Sequence, residues 1–214
     1  MLHKETVTTT TLELLKELML DEKLNGFFLA GGTALSLLIG HRISIDIDLF
    51  SQFPFDENAL STHLESYERF QLNYIHSNTI KGQIKDVQVD IITHAYPLIK
   101  DVLKIEDVRL ADIEDIAAMK LNAIIGNGTR IKDFIDIAFI SSFLSLQQMT
   151  DAYEAKYASR NPVMVLKSLM YHQEINFNEP IRMIHGAFNW EPIKLRLDEM
   201  VKFPHKVFSA PPIH

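Results

Sequence analysis

The chain has 214 residues, 47% hydrophobic and 23% charged, with 8 Gly, 8 Pro, no Cys and a formal net charge of −7. That length and apolar fraction support a core in one large domain or two small ones, and they exclude disordered, collagen-like and low-complexity classes. Without Cys there is no disulfide scaffold, thiol catalysis or thiolate zinc site, and the acidic balance argues against a surface coated in positive charge for nucleic acid while leaving room for a local basic cleft.

Thr10-x-x-Glu13 has capping-box spacing, and Leu12, Leu15, Leu18 and Met19 follow at helical intervals, with Asn25-Gly26 as a left-handed stop. Phe27 to Ala30 reads as a short buried strand, broken by Gly31-Gly32-Thr33, after which Ala34 to Ile39 forms a helix ended by Gly40. From Ile43 to Phe50 the pattern has period two: Ile43, Ile45, Ile47 and Leu49 on one face, Ser44, Asp46 and Asp48 on the other. A helix is predicted near Asp56 to Arg69, then strands over Gln71–His76 and Thr79–Ile84, a turn at Lys85-Asp86, and a strand alternating Val87, Val89 and Ile91 with Gln88 and Asp90.

Past Pro97 strand signals fade, and helical periodicity rules from Asp112 onward. Asp112 can cap a helix ended by Gly126-Asn127-Gly128; further helices are read over Asp133–Leu144, from Asn161-Pro162, near Met164–Gln173 and over Pro192–Lys202, before an irregular proline-bearing tail. Residues 1–100 are therefore expected to form an α/β core, and 101–214 a helical region packed on it.

Residues i and i+2 on a strand point the same way, about 6.6 Å apart, so Asp46 and Asp48 share a face. Asp90 lies on another strand of the same kind, and strands pair about 4.8 Å apart, so in-register pairing would bring three carboxylates to one patch. Carboxylates that close repel unless a cation neutralises them, and hard oxygen ligands suit Mg²⁺. A solvated strand face is the ordinary reading of any single aspartate here. The Gly31-Gly32 bend just upstream changes the balance, because backbone amides between a strand and a helix start can cradle phosphate. No HxH or HExxH spacing is found among the nine histidines, which argues against zinc.

Phe28-Leu29-Ala30-Gly31-Gly32-Thr33-Ala34-Leu35, followed by His41-Arg42-Ile43-Ser44-Ile45-Asp46-Ile47-Asp48-Leu49-Phe50, resembles the signature of the nucleotidyltransferase AbiEii/AbiGii toxin family, within the DNA polymerase beta-like nucleotidyltransferase superfamily. The likeness extends to Asp90 as the later strand aspartate and to a downstream block, where Lys120, Arg130, Lys132, Asp133 and Asp136 stand in the family's places. It implies an α+β fold, a mixed-sheet nucleotidyltransferase core with flanking helices followed by a helical C-terminal lobe. It also implies transfer of a nucleotidyl group from a nucleoside triphosphate to an acceptor hydroxyl, with release of pyrophosphate. Asp46, Asp48 and Asp90 would be the catalytic metal ligands for Mg²⁺ or Mn²⁺. Gly31, Gly32, Thr33, Lys120, Arg130 and Lys132 would bind the nucleotide, while Asp133 and Asp136 fit better as a helix cap or as ion-pair partners of Lys120 or Lys132 than as metal ligands.

The resemblance further implies the toxin half of a bacterial toxin–antitoxin or phage-defence pair, with a cognate antitoxin as partner and tRNA as the acceptor to test first. Two alternatives stand beside it: an inactive nucleotide- or partner-binding module of the same fold, and a nucleotidyltransferase acting on protein or small molecules. No apolar run reaches the roughly 18 residues of a membrane helix and the opening residues lack a signal-peptide apolar stretch, so a cytoplasmic protein without a membrane partner is expected.

Overall fold

The computed structural model describes residues 1–158, 161 and 163–213. It divides into two compact units, one of Met1–Pro97 with Asp101–Ala111, the other of Leu98–Lys100 with Asp112–His214.

The first unit is built on seven strands: β1 (Phe28–Leu29), β2 (Ile47–Ser51), β3 (Gln71–Ile75), β4 (Thr79–Ile84), β5 (Val87–Thr93), β6 (Leu103–Ile105) and β7 (Val108–Leu110). They form one mixed sheet in the order β3-β4-β5-β2-β1-β7-β6, with β2 parallel to β5, β1 parallel to β7, and the other neighbours antiparallel. Period-two alternation decides the faces. Ile47 and Leu49 of β2, Ile80 and Ile84 of β4, and Val87, Val89 and Ile91 of β5 are buried, and the intervening polar residues take the other face. The hairpin β6–β7, absent from the sequence reading, completes the sheet by pairing Leu110 with Leu29.

Three helices belong to this unit. α1 (Thr9–Leu20) starts on Thr8, whose hydroxyl accepts the Thr11 N–H at 3.1 Å, so the cap lies two residues before the Thr10 expected. It buries Leu14, Leu15, Leu18 and Met19 and stops at Asp21, which caps a short 3₁₀ turn over Glu22–Leu24. Asn25 stays right-handed, so the expected left-handed stop is not made. α2 (Gly31–Ile39) includes the glycine pair as its first turn instead of following it, and Gly40 ends it at φ 67°. α3 (Glu57–Leu64) is capped by Asp56, which accepts the N–H groups of Asn58 and Ala59.

Two polar clusters tie these elements together. The Arg109 guanidinium donates to the carbonyls of Phe27 and Met19 at 2.8 Å and of Leu24 at 3.0 Å, bracing β7 against the end of α1 and the start of β1. Asp21 Oδ2 accepts from Tyr67 Oη and His63 Nε2, both at 2.6 Å. Burial alone would raise the Asp21 pKa, but the hydrogen bonds from Tyr67, His63 and the Lys23 amide outweigh it, and the net shift is downward.

The second unit is helical: α4 (Ile113–Gly126), α5 (Ile131–Ile140), α6 (Leu146–Lys156), α7 (Val163–Leu169) and α8 (Trp190–Lys202). α4 packs against α5, α6 and α7, and α5 against α8. Asp112 caps α4 as expected. Asp133 does not cap α5, since Arg130 holds that position without a side-chain bond. Missing from the sequence reading, α6 opens with a reciprocal capping box between Ser145 and Gln148. Asn161 accepts the Val163 N–H at the start of α7, and Pro162 lies outside the described residues. Within this unit Asp115 binds Lys156 Nζ at 2.7 Å and also accepts the amides of Ile99 and Lys100. No helix among the described residues is long and apolar enough to cross a membrane.

Arg109→Met strands three carbonyls without their donor and lowers the unfolding free energy by about 2–3 kcal/mol, measured as a fall in the urea midpoint at constant m-value. Because the folded Asp21 pKa lies below its unfolded value, the ionised carboxylate contributes stability above the ordinary carboxylate range. That contribution is lost as pH falls through the folded value. Asp21→Asn therefore flattens the decline in stability as pH falls through and below the ordinary carboxylate range, measured by urea unfolding at stepped pH; an unchanged slope removes Asp21 from the acid response.

Candidate active site

Parallel pairing of β2 with β5 sets Asp48 directly beside Asp90, and directly paired residues project from the same face of a sheet. Lys85 and Asp86 form the two-residue turn between β4 and β5, both with positive φ, and this turn places Lys81 opposite Asp90. Tyr74 of β3 is in turn opposite Lys81. Tyr74, Lys81, Asp90 and Asp48 thus make a transverse row over four strands.

Asp90 has a donor on each oxygen: Lys81 Nζ lies 2.6 Å from Oδ2 and Gln88 Nε2 lies 3.0 Å from Oδ1. Asp48 is placed by the glycine bend. Ala30 N–H donates to the Asp48 carbonyl at 3.0 Å, and a Cβ added to Gly31 would stand 2.5 Å from Asp48 Oδ2. Gly31 also has φ +68°. The carboxylate therefore lies against the first turn of α2, where helix amides and dipole favour an anion. A Cβ on Gly32 would likewise meet Arg42 Nη2 at 2.6 Å, so the buried Arg42 guanidinium occupies the space a side chain would fill.

The segment before β2 differs from expectation. Ile43 to Asp46 is not strand, and Ile45 is exposed. This stretch is held from the side, with Ser44 N–H donating to the Thr6 carbonyl and the Thr33 hydroxyl bonding the Asp46 carbonyl and Ser44 Oγ. Thr33 is buried, and its hydroxyl oxygen lies against the Asp46 carbonyl and Ser44 Oγ, which holds the Asp46 segment to the start of α2. Asp46 itself is exposed, one residue before the strand. Consequently two carboxylates, not three, stand side by side on paired strands. Among the described residues no group of three or more His, Cys, Asp or Glu gathers closely enough to cage a metal. Two adjacent carboxylates still suit Mg²⁺, which usually takes one or two and fills its shell with water and substrate phosphates.

Lys120, Arg130 and Lys132 belong to the second unit. Lys120 Nζ is buried on α4 and lies 2.7 Å from both Asp133 Oδ1 and Asp136 Oδ2 of α5. Arg130 is exposed, with Nε 3.7 Å from Asp133 Oδ2, and Lys132 pairs with Glu179 at 2.9 Å. Lys81 and Gln88 were not anticipated as site residues. Counting outward from the Lys85-Asp86 turn places Lys81 against Asp90, and the i, i+2 rule puts Gln88 on the same face, so both were recoverable from register.

A mixed sheet that presents adjacent strand carboxylates beside a glycine-started helix is the nucleotidyltransferase fold of the polymerase beta-like kind, and solved structures share it. A putative nucleotidyltransferase from H. pylori superposes with TM-score 0.55 at 18% identity, covering 92% of this chain and 96% of that one. JHP933 from Helicobacter pylori gives TM-score 0.55 at 19% identity, covering 93% of each chain. In sequence, an uncharacterized protein of Aquifex aeolicus (strain VF5), aq_aa25, is 31% identical over 156 residues, 70% of this chain and 75% of the relative. Residues 13–203 match the family described as nucleotidyl transferase AbiEii toxin, type IV TA system, and the chain belongs to that family. It is by that membership a nucleotidyltransferase.

Gly31→Ala forces a left-handed non-glycine residue and drives a methyl into the Asp48 carboxylate. It costs about 1–2 kcal/mol in backbone strain alone, read from chemical denaturation, and it abolishes nucleotide transfer beyond what that loss of stability explains.

Proposed function

We propose that this protein transfers a nucleotidyl group from a nucleoside triphosphate to the terminal hydroxyl of an RNA, with tRNA as the first acceptor to test, and that it serves as the toxin of a toxin–antitoxin pair in the cytoplasm. The register pairing of Asp48 with Asp90 beside the Gly31-Gly32 helix start is the observation that carries the reading. Family membership supports nucleotidyl transfer, and the family's description supports the toxin role and a cognate antitoxin.

In this mechanism backbone amides of the first turn of α2 bind phosphate beside Asp48 and Arg42, whose side-chain ends take the space that Cβ atoms at Gly31 and Gly32 would fill. Asp48 and Asp90, with the exposed Asp46 as a further ligand, would hold Mg²⁺ or Mn²⁺. When bound, such a cation neutralises triphosphate charge and acidifies the acceptor hydroxyl. The acceptor oxygen bonds to the α-phosphorus as the bond to the β-phosphate bridge breaks. Pyrophosphate departs, and Asp90 takes the hydroxyl proton. Thr33 and Arg42 fix the glycine turn and the Asp46 segment. Within the second unit Lys120 is buried against Asp133 and Asp136 and Lys132 is paired with Glu179, so the phosphate contacts assigned here come from the first unit alone. Tyr74, half-exposed at the edge strand on the same row as the aspartates, offers an acceptor base a ring to stack on.

Wild type and Asp48→Ala are incubated with each α-labelled triphosphate, Mg²⁺ and total cellular RNA and protein. Label enters RNA with wild type, and Asp48→Ala loses at least about 100-fold of it while keeping its circular dichroism. Label confined to protein overturns the RNA acceptor, and equal labelling by both proteins overturns the role of Asp48.

A further inference from the structure

Lys81 is a cation placed where the proposed site needs a metal ion. Its position is fixed, not incidental: the Lys85-Asp86 turn sets the β4–β5 register, and the buried alternation of Ile80, Ile84, Val89 and Ile91 prevents a one-residue slip. The Lys81 side chain is 45% exposed whereas that of Asp90 is 15% exposed, so the ammonium is the more open of the two to solvent. With Gln88 on the other oxygen, each Asp90 oxygen has one donor, and the Lys81 ammonium sets a positive charge against Oδ2 that opposes a divalent cation there. Stability does not account for the pair, since half-exposed ion pairs contribute little. Adjacency does account for it: Asp48 and Asp90 side by side repel, and one positive charge beside them offsets that repulsion.

We infer that Lys81 is a built-in counter-cation for Asp90, a positioning residue that orients this carboxylate in the resting enzyme and weakens divalent-cation binding until the cation displaces it. The inference rests on the proposed role of Asp48 and Asp90. Once displaced, the Lys81 ammonium stays within side-chain reach of the same strand row, where it meets negative charge carried in by substrate. The device disfavours loading by metal alone relative to loading with the nucleotide, whose phosphates supply the missing negative charge and further ligands.

The test is Mn²⁺ binding to the full chain, followed by electron paramagnetic resonance of free Mn²⁺, without and with a non-hydrolysable triphosphate. Lys81→Met, and Lys81→Gln as a second neutral variant, bind Mn²⁺ about tenfold more tightly than wild type without nucleotide, as expected when a nearby positive charge is removed. That advantage shrinks when the nucleotide is present, and Lys81→Arg stays near wild type. Asp90→Asn weakens binding both with Lys81 and with Met at position 81. Neutral variants that bind Mn²⁺ no more tightly than wild type, while Asp90→Asn still weakens it, overturn the inference and leave the site standing. Binding unaffected by Asp48→Asn and Asp90→Asn overturns the site and the inference together.

Discussion

The parallel pairing of β2 with β5 is the constraint from which the site follows. Both strands alternate strictly, so the register that puts Asp48 beside Asp90 is also the one that buries Ile47, Leu49, Val89 and Ile91. A slip of one residue would send the aspartates into the core and the aliphatics into water. The cost of such a slip is many times that of holding two like charges side by side, so apolar burial enforces an arrangement that electrostatics alone would reject. The β4–β5 turn extends the same discipline by one strand, which is how Lys81 comes to face Asp90.

Carboxylates paired with a lysine recur in this protein, and burial sorts the ways they are balanced. In the second unit Asp133 and Asp136 share the buried Lys120, and Asp115 has the buried Lys156 together with two backbone amides. Removing one partner from such sites leaves an uncompensated charge away from water, so these contacts are fixed parts of the fold. Asp90 and Lys81 have the same chemistry with one difference, that the lysine is half in solvent. An ammonium so placed can exchange for another cation without unfolding anything. Burial therefore separates structural ion pairs from an exchangeable one more sharply than distance does, since all these contacts measure 2.6–2.7 Å.

Most of the first unit's sheet was legible because period two is a strong signal where one face is buried: β3, β4, β5 and the core of β2 fall close to their expected places. The failures have definite causes. Ile43 and Ile45 extend the alternation of β2 on paper, but no neighbouring strand pairs there, and hydrogen bonds from Thr33 and to Thr6 hold the segment instead. The hairpin β6–β7 was overlooked because each strand has only three residues; Glu106 and Asp107 take the same positive-φ turn as Lys85 and Asp86, without glycine to announce it. α6 hides its amphipathic face among Gln, Thr and Asp, although Ser145-x-x-Gln148 marked its start. Of the candidate site, the aspartates and glycines could be nominated from spacing, but which aspartate partners which, and the presence of Lys81 between them and the sheet edge, required register across strands far apart in sequence.

The glycine turn and the Asp46 segment are better understood as one piece than as two motifs. The Thr33 hydroxyl reaches thirteen residues forward to the Asp46 carbonyl, Ala30 N–H reaches eighteen forward to the Asp48 carbonyl, and Arg42 fills the space above Gly32. Any shift of the α2 N-terminus must therefore carry the backbone at 46 and 48 with it. In the proposed mechanism a helix start and a strand of carboxylates act on the same phosphate group and have to keep their spacing closely, because electrostatic stabilisation relies on charges that need no rearrangement. Hydrogen bonds between the two motifs supply that rigidity directly. Thr33, although its hydroxyl faces inward, is thereby coupled to the backbone that carries the proposed site aspartates.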